Sequence, residues 1–155
     1  MAVDLPKASL RLLESVDLDS QIQVFPEGTK TAEDAANAIG CHVSAIVKSL
    51  VFVVDEEPVV ALVPGDLRLD TSKLSEAAGG GEARRASLDE VRDATGFAAG
   101  GTPPFGHTRA LRVFADPSLK RNDPVWAAAG TPTTVFPISL TDLDRLAAPV
   151  WVTVT

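Results

Sequence analysis

Two apolar runs separated by a short polar turn constrain the fold of this chain most strongly. Residues 46–54 hold seven apolar side chains in nine positions, and residues 59–63 are apolar throughout. The intervening residues, Asp-Glu-Glu-Pro at 55–58, are typical of a turn. Together these segments predict a β-hairpin in the middle of a sheet.

Lys48 interrupts the first of these apolar runs. Because side chains alternate between the two faces of a strand, Lys48 shares a face with Ile46, Leu50, Phe52 and Val54. A lysine among apolar neighbours either extends to solvent at the end of the sheet or is held in a pocket that an anionic group visits. The sequence leaves both interpretations open.

The other predicted elements are helices and strands in irregular succession. Helices are expected at residues 6–16, 32–39, 71–77, 88–95 and 142–146, and further strands at 22–25, 110–114, 125–129, 133–138 and 150–154. This succession predicts an α+β fold in which helices surround a curved, mixed and barrel-like sheet. No repeat or linker divides residues 1–155, so one domain is expected.

Caps mark two of these helices. Thr31 precedes one and Gly40 follows it. Ser87 and Glu90 have the spacing of a capping box, and Gly96 follows the helix that they begin.

Composition limits the location and the partners of the chain. A net charge of −7 argues against a protein whose main role is to grip nucleic acid through its phosphates, although a brief encounter with one end of a nucleic acid remains compatible. The chain shows neither a signal peptide nor an apolar segment long enough to span a membrane. One cysteine fits a reducing compartment, so a cytoplasmic protein is expected.

Residues 96–107 form a loop with four glycines, two prolines and two phenylalanines, and it ends at His107. Glycines permit unusual backbone conformations, and such a loop can hold N–H groups towards a phosphate or towards a carbonyl oxygen that develops negative charge. An inert connection between a helix and a strand is the other interpretation.

Familiar catalytic constellations are missing from the sequence. Cys41 and His42 are adjacent and would point to opposite faces of an extended chain, and two histidines with one cysteine lack recognisable zinc-ligand spacing. No Walker loop, dinucleotide fingerprint or Gly-x-Ser-x-Gly elbow is present. No cofactor is therefore expected, and the loop and Lys48 are the remaining candidates.

The order of several segments resembles a known family. The segments are residues 31–36 with Gly40, 46–52, 63–66 with Asp70 and Leu74, 95–97, 100–106, Asp116 and Gly130. With the lysine strand followed by Gly100-x-x-x-Pro104, they resemble the YbaK and ProX-type aminoacyl-tRNA editing domains, which also occur as an insertion in bacterial prolyl-tRNA synthetases.

The resemblance implies a freestanding deacylase that hydrolyses the ester of a mischarged aminoacyl-tRNA, such as tRNA-Pro carrying cysteine or alanine. It implies no protein nucleophile, and catalysis by Lys48, Gly100 and Gly101 with a water or a group of the substrate. Lys48 would act either as a cation or, if deprotonated, as a base. The candidate substrate-binding residues are Phe25, Thr31, Phe97, Thr102, Pro103, Pro104, Gly106, His107 and Gly130.

Several of these assignments have alternatives. Phe25 and Phe97 are either pocket walls or core residues, and His107 either lines the pocket or lies at the surface. Thr102 stands where many relatives have a small apolar residue.

Two rival functions stay open, a non-catalytic module that binds a nucleotide, an RNA end or a protein, and a hydrolase of another acyl ester. The expected partner is the 3′ acceptor end of aminoacyl-tRNA, with an aminoacyl-tRNA synthetase as a second candidate. No membrane partner is expected, and monomer and homodimer both remain open.

Overall fold

The computed structural model describes residues 5–15, 22–26 and 31–155. The helices within them are α1 (Lys7–Ser15), α2 (Ala32–Ile39), α3 (Thr71–Ala77), α4 (Leu88–Thr95) and α5 (Leu140–Ala147). The strands are β1 (Gln23–Val24), β2 (Ile46–Val54), β3 (Glu57–Pro64), β4 (Ala83–Arg85), β5 (Arg112–Ala115), β6 (Val125–Ala128), β7 (Thr134–Ile138) and β8 (Val150–Trp151). Short 3₁₀ turns span Val43–Ala45 and Pro117–Arg121.

All eight strands belong to one mixed sheet in the order β1-β7-β6-β2-β3-β5-β8, with β4 paired to β2 beside this path. The hairpin of β2 and β3 is antiparallel and lies at the centre, as predicted. Parallel pairs join β2 to β6, β3 to β5 and β5 to β8. The fold is therefore α+β with an open, mixed sheet, which confirms the predicted class.

Each face of the hairpin covers its own apolar cluster. Val47 and Val51 of β2 pack on one face with Phe105 and Phe136. Phe52 packs on the opposite face. This alternation is the one expected from the period of a strand, so β2 is buried on both sides of the sheet.

Local polar contacts fix the helix boundaries. The Thr31 hydroxyl accepts a hydrogen bond from the Asp34 N–H, and Ser87 with Glu90 forms the predicted capping box. Gly40 and Gly96 end their helices in the left-handed region, with φ of 85° and 82°. These caps were readable from the sequence because each is local.

Other predicted boundaries need correction. Helix α5 begins at Leu140 instead of residue 142, because the Ser139 hydroxyl caps it by accepting from the Asp142 N–H. The strands predicted at 22–25 and 150–154 keep only two paired residues each, and β5 begins at Arg112 instead of residue 110. The predicted first helix reached residue 16, which lies outside the described residues. No helix in the described ranges is long and apolar enough to cross a bilayer.

A buried carboxylate joins the C-terminal residues to the centre of the sheet. Asp116, which follows β5, accepts hydrogen bonds from the Val154 N–H at 2.8 Å and from the Ser118 N–H at 3.1 Å. The Thr155 hydroxyl donates to it at 3.1 Å. Burial opposes ionisation, but a hydrogen bond from the Ser118 hydroxyl together with these three outweighs it and lowers the pKa of Asp116 below the usual carboxyl value.

We expect Asp116→Asn to lower the free energy of unfolding by about 1–3 kcal/mol at pH 7, because an amide cannot accept on both of its polar atoms. A lowered folded-state pKa means that this stabilisation is present above the unfolded value of about 3.9 and is lost as pH falls below it. Urea unfolding at several pH values would measure both effects. The exposed Asp93 provides the control, Asp93→Asn, and equal stabilities of wild type and Asp116→Asn at pH 7 would contradict the assignment.

Candidate active site at an open edge of the central strand

One edge of β2 loses its strand partner halfway along. The edge that faces β3 is paired along its length. On the other edge, β6 pairs only with Ile46 and Val47, and β4 pairs only with Phe52, Val53 and Val54. The pairings of the described strands therefore leave residues 48–51 open, apart from one hydrogen bond from the Ala86 N–H to the Val51 carbonyl.

The open segment lies against two adjoining cavities. The first has a volume of about 310 Å³ and extends between α2, the start of β2, β6 and the loop at residues 100–102. The second, of about 300 Å³, extends towards α4. The two share five lining residues, Ser49, Leu50, Arg85, Gly100 and Thr102. The interruption in the sheet thus opens into a divided cavity.

Ser49 presents its polar groups at this opening. The Gly65 N–H donates to the Ile46 carbonyl at 2.8 Å, so the even-numbered residues of β2 hydrogen-bond to β3. The backbone N–H and C=O of Ser49 consequently face the opposite, open edge. Its hydroxyl oxygen is the one buried side-chain polar atom without a partner in the described part of the chain. Ser49 is therefore a place at the centre of the sheet where hydrogen-bonding capacity remains free.

Lys48 lines the first cavity and is half-buried. Its Nζ donates to the Leu67 carbonyl at 2.8 Å. Burial lowers the pKa of Lys48; the nearby charges of Arg68 and Arg85 lower it further, whereas Asp66 raises it. Of the two interpretations left open by the sequence, the structure therefore favours a lysine held in a pocket.

The loop at residues 96–107 is held by its own hydrogen bonds. The Thr102 hydroxyl donates to the Ala98 carbonyl at 3.1 Å. The Gly101 N–H donates to the same carbonyl at 3.1 Å, and the Gly101 carbonyl accepts from the Gly130 N–H at 2.9 Å. Gly101 is buried, and a Cβ there would lie 2.5 Å from the Thr131 Cα. Glycine at this position is required by close packing of two backbone segments.

These contacts correct one predicted role. The sequence predicted that the N–H groups of Gly100 and Gly101 would together stabilise a developing oxyanion, but the Gly101 N–H already has an acceptor and Gly101 does not line either cavity. Gly100 does line both cavities, and its N–H has no acceptor in the described ranges. The same holds for the N–H of Thr102. The N–H of Ala99, which lines the second cavity, likewise has no acceptor among the described residues. Ala99, Gly100 and Thr102 are thus the lining residues of the loop whose N–H groups are available as donors.

Thr31, Lys48, Gly100 and Thr102 are the predicted site residues that the structure brings together in the cavity lining. The remaining predicted binding residues do not line either cavity. Phe97 is a core residue whose ring also faces the Arg11 guanidinium at 5.0 Å. Phe25 lies beside β7, with its N–H donating to the Thr133 carbonyl.

The other loop residues support the lining from behind. Pro103 and Pro104 are buried. The Nε2–H of His107 donates to the Pro103 carbonyl at 2.8 Å, since a carbonyl can only accept, and burial lowers the pKa of this histidine. Gly106 and Gly130 both have positive φ, 76° and 103°. A Cβ on Gly130 would lie 2.9 Å from the backbone of Ala8 in α1.

Three polar or aromatic lining residues, Ser49, Arg85 and Trp126, were not predicted as site residues. Ser49 and Trp126 look like ordinary strand residues, and only the distant pairing of Ile46 with Trp126 places them at one opening. Arg85 is not distinguished by the sequence from its neighbour Arg84. Its position opposite Phe52 in β4 carries it to the cavity. No element was predicted for residues 83–86, and the pairing of β4 with β2 was therefore not expected.

The chemical content of the lining defines a limited class of site. The described residues that line the two cavities include a lysine, an arginine, hydroxyls and free backbone donors, but no Asp, Glu, His or Cys. The described part of the chain also has no group of three or more such residues that could hold a metal ion. The lining of this α+β protein is thus chemically suited to an electron-rich ligand at a sheet edge.

Comparison with known proteins assigns the family. A model of the aminoacyl-tRNA editing domain matches residues 26–146, and the chain belongs to this family. The uncharacterized protein YwhH of Bacillus subtilis (strain 168) is 33% identical over 138 residues, which cover 88% of this chain and 87% of that protein. The family resemblance identified from the sequence is thus confirmed.

Two further relatives connect the chain to prolyl-tRNA synthetase. A proline–tRNA ligase of Maridesulfovibrio salexigens is 39% identical over 97 residues, or 63% of this chain, but the match spans only 17% of that ligase. The crystal structure of a proposed trans-editing enzyme for prolyl-tRNA synthetase superposes with a TM-score of 0.92 at 36% identity, covering 98% of this chain and 99% of that one.

The two loop glycines are expected to differ in what they tolerate. Gly101→Ala should lower the free energy of unfolding by about 3 kcal/mol or more, because the new Cβ meets backbone atoms that cannot rotate away. Gly100→Ala should cost only about 1–2 kcal/mol, since φ is 86° but the nearest atom to a Cβ is 3.8 Å away. Urea unfolding of both variants would rank them. The opposite order of stability would show that Gly101 is not the anchoring residue.

Proposed function

We propose that this chain is a trans-editing deacylase that hydrolyses the ester between a mismatched amino acid and the 3′-terminal ribose of a transfer RNA, in the cytoplasm. The single observation that supports this most strongly is the meeting of Lys48 with the free N–H of Gly100 in one cavity lining. The likeness to a proposed trans-editing enzyme along nearly the whole chain supports action in trans.

The proposed reaction begins with attack of a water on the acyl carbon. The new bond pushes negative charge onto the carbonyl oxygen, and fixed N–H donors stabilise this charge without reorganising. The N–H groups of Gly100 and Thr102 would supply that stabilisation. The tetrahedral intermediate then collapses, the bond between the acyl carbon and the ribose oxygen breaks, and the proton from water passes to that oxygen. The products are the free amino acid and the uncharged tRNA.

Lys48 acts as a cation in this proposal. One N–H of its ammonium donates to the Leu67 carbonyl, which leaves two N–H groups for the substrate. Directed at the ribose or phosphate oxygens, these donors would orient the ester and stabilise the leaving oxygen.

The lining argues against a protein nucleophile. The hydroxyls of Thr31, Ser49 and Thr102 are present, but no described lining residue is a carboxylate or a histidine that could activate them. Cys41 lies outside the lining, and burial raises the pKa of its thiol, which disfavours the reactive thiolate. Hydrolysis by water, assisted by a group of the substrate, fits this inventory.

The first cavity also offers a surface for the terminal nucleoside. Trp126 is half-buried and lines it. Aromatic side chains stack on nucleic acid bases with about 1–3 kcal/mol per base. We therefore place the adenine against Trp126 and the aminoacyl group towards Gly100. Following the family resemblance and the relationship to prolyl-tRNA synthetase, we propose a small acyl group such as alanine or cysteine on tRNA-Pro.

Lys48→Ala is expected to lower single-turnover deacylation by on the order of a hundredfold, as loss of one preorganised charged donor often does. The measurement charges tRNA-Pro with alanine or cysteine and follows release of the amino acid. Lys73→Ala, which removes an exposed lysine of α3, is the matched control. A folded Lys48→Ala protein with wild-type turnover would remove Lys48 from the mechanism. Binding of the RNA by wild type without any turnover would instead favour the non-catalytic module.

The pH dependence separates the two roles of Lys48. Because burial, Arg68 and Arg85 lower its pKa against the opposing effect of Asp66, a cationic role predicts that enzymatic turnover falls as pH rises through that lowered pKa. Lys48→Arg keeps the charge at all accessible pH values, so its alkaline fall should disappear. Deacylation rates corrected for the uncatalysed ester hydrolysis would show this. Turnover that rises with pH in wild type and is abolished in Lys48→Arg would indicate a general base.

A further inference from the structure

A cationic rim lies around Lys48 of the first cavity, in a chain whose net charge is −7. The rim consists of Lys48, Arg68 and Arg85. Arg85 lines both cavities. Arg68 directly follows Leu67, whose carbonyl holds the Lys48 ammonium. Both arginines are exposed and act electrostatically on Lys48.

The two arginines of the rim make no side-chain ion pair or hydrogen bond within the described part of the protein. Four other arginines, Arg84, Arg112, Arg121 and Arg145, form ion pairs with carboxylates. Arg68 and Arg85 have no such pair and no side-chain hydrogen bond among the described residues. Asp66, the carboxylate whose charge raises the pKa of Lys48, accepts two hydrogen bonds from Arg121 at 2.7 and 2.9 Å.

Strand geometry directs Arg85 to the face of Lys48. Arg85 lies opposite Phe52 in the antiparallel pair of β4 with β2, so their side chains share a face. Lys48 is on the same face, four residues earlier in β2, or about 13 Å along the strand. Arg84, one position earlier in β4, takes the opposite face and pairs with Glu90 at 2.8 Å. Adjacent arginines thus have different roles.

We propose that Arg68 and Arg85 bind backbone phosphates of the single-stranded nucleotides that precede the terminal nucleoside of the RNA. This inference rests on the proposed function, because it extends the ligand of the same cavity outward. Three like charges without internal carboxylate partners repel one another, and a polyanion passing the opening relieves that repulsion. Guanidinium groups match phosphate oxygens in a bidentate geometry.

The test compares a long and a short substrate. Alanyl-tRNA-Pro carries the phosphates, whereas 3′-alanyl-adenosine does not. Arg68→Gln and Arg85→Gln should each raise KM for the tRNA about three- to fivefold. KM for alanyl-adenosine should rise far less. The slope of log KM against log salt should fall by about 0.7 for each phosphate that the variant no longer binds. Arg84→Gln is the matched control and should change neither KM nor the slope.

A binding measurement keeps the inference testable without turnover. Fluorescence anisotropy with an uncharged RNA hairpin that has a single-stranded 3′ end should show binding by wild type and by Arg84→Gln, and binding weaker by roughly tenfold or more in the Arg68→Gln, Arg85→Gln double variant. Equal losses on alanyl-adenosine and on tRNA, or hairpin binding unaffected in the double variant, would overturn the phosphate assignment while leaving the deacylase intact. A wild type that binds the hairpin but hydrolyses neither ester would overturn the proposed function alone.

Discussion

The interrupted pairing along β2 is the constraint on which the site depends. The backbone donors and acceptors of a central strand normally form hydrogen bonds with neighbouring strands at both edges, because buried unpaired groups raise the free energy of the fold. Here the hairpin with β3 holds β2 in place, while β6 and β4 share the other edge and leave residues 48–51 between them. This arrangement brings rigid backbone with free hydrogen-bonding groups to a cavity. The site therefore needs neither a mobile loop nor a protein nucleophile.

The distribution of charge follows from the same opening. A lysine inside the sheet and two arginines beside it raise the free energy of the unliganded site, as the lowered pKa of Lys48 indicates. The overall charge of −7 opposes general attraction to nucleic acid. A concentrated positive rim on a negative protein therefore favours contact at one point over binding along a helix, which suits recognition of an exposed chain end.

Features that depend on short segments were predictable from the sequence. Local patterns predict the hairpin, the lysine strand, the caps at Thr31 and Ser87 and the glycine-rich loop. The family resemblance identified Lys48 and Gly100 as candidate site residues. The sequence could not predict that Arg85 faces the cavity, since this depends on its pairing with Phe52 across many residues. It also could not show that Gly100 and Gly101 have different roles, because only the packing of Gly101 against Thr131 identifies Gly101 as the structural glycine.

The different roles of the two glycines explain how a glycine-rich loop can hold a backbone donor in a fixed position. Gly101 is locked between the Ala98 carbonyl and the Gly130 N–H, and His107 holds the following turn through the Pro103 carbonyl. Gly100, between these anchors and the cavity, keeps a left-handed conformation with open space around it. A donor fixed on both sides loses little conformational entropy when an oxyanion forms, which is the condition for electrostatic stabilisation to favour the transition state. In the proposed mechanism, the buried loop residues that hold Gly100 and Thr102 in place are thus as necessary as these two donors.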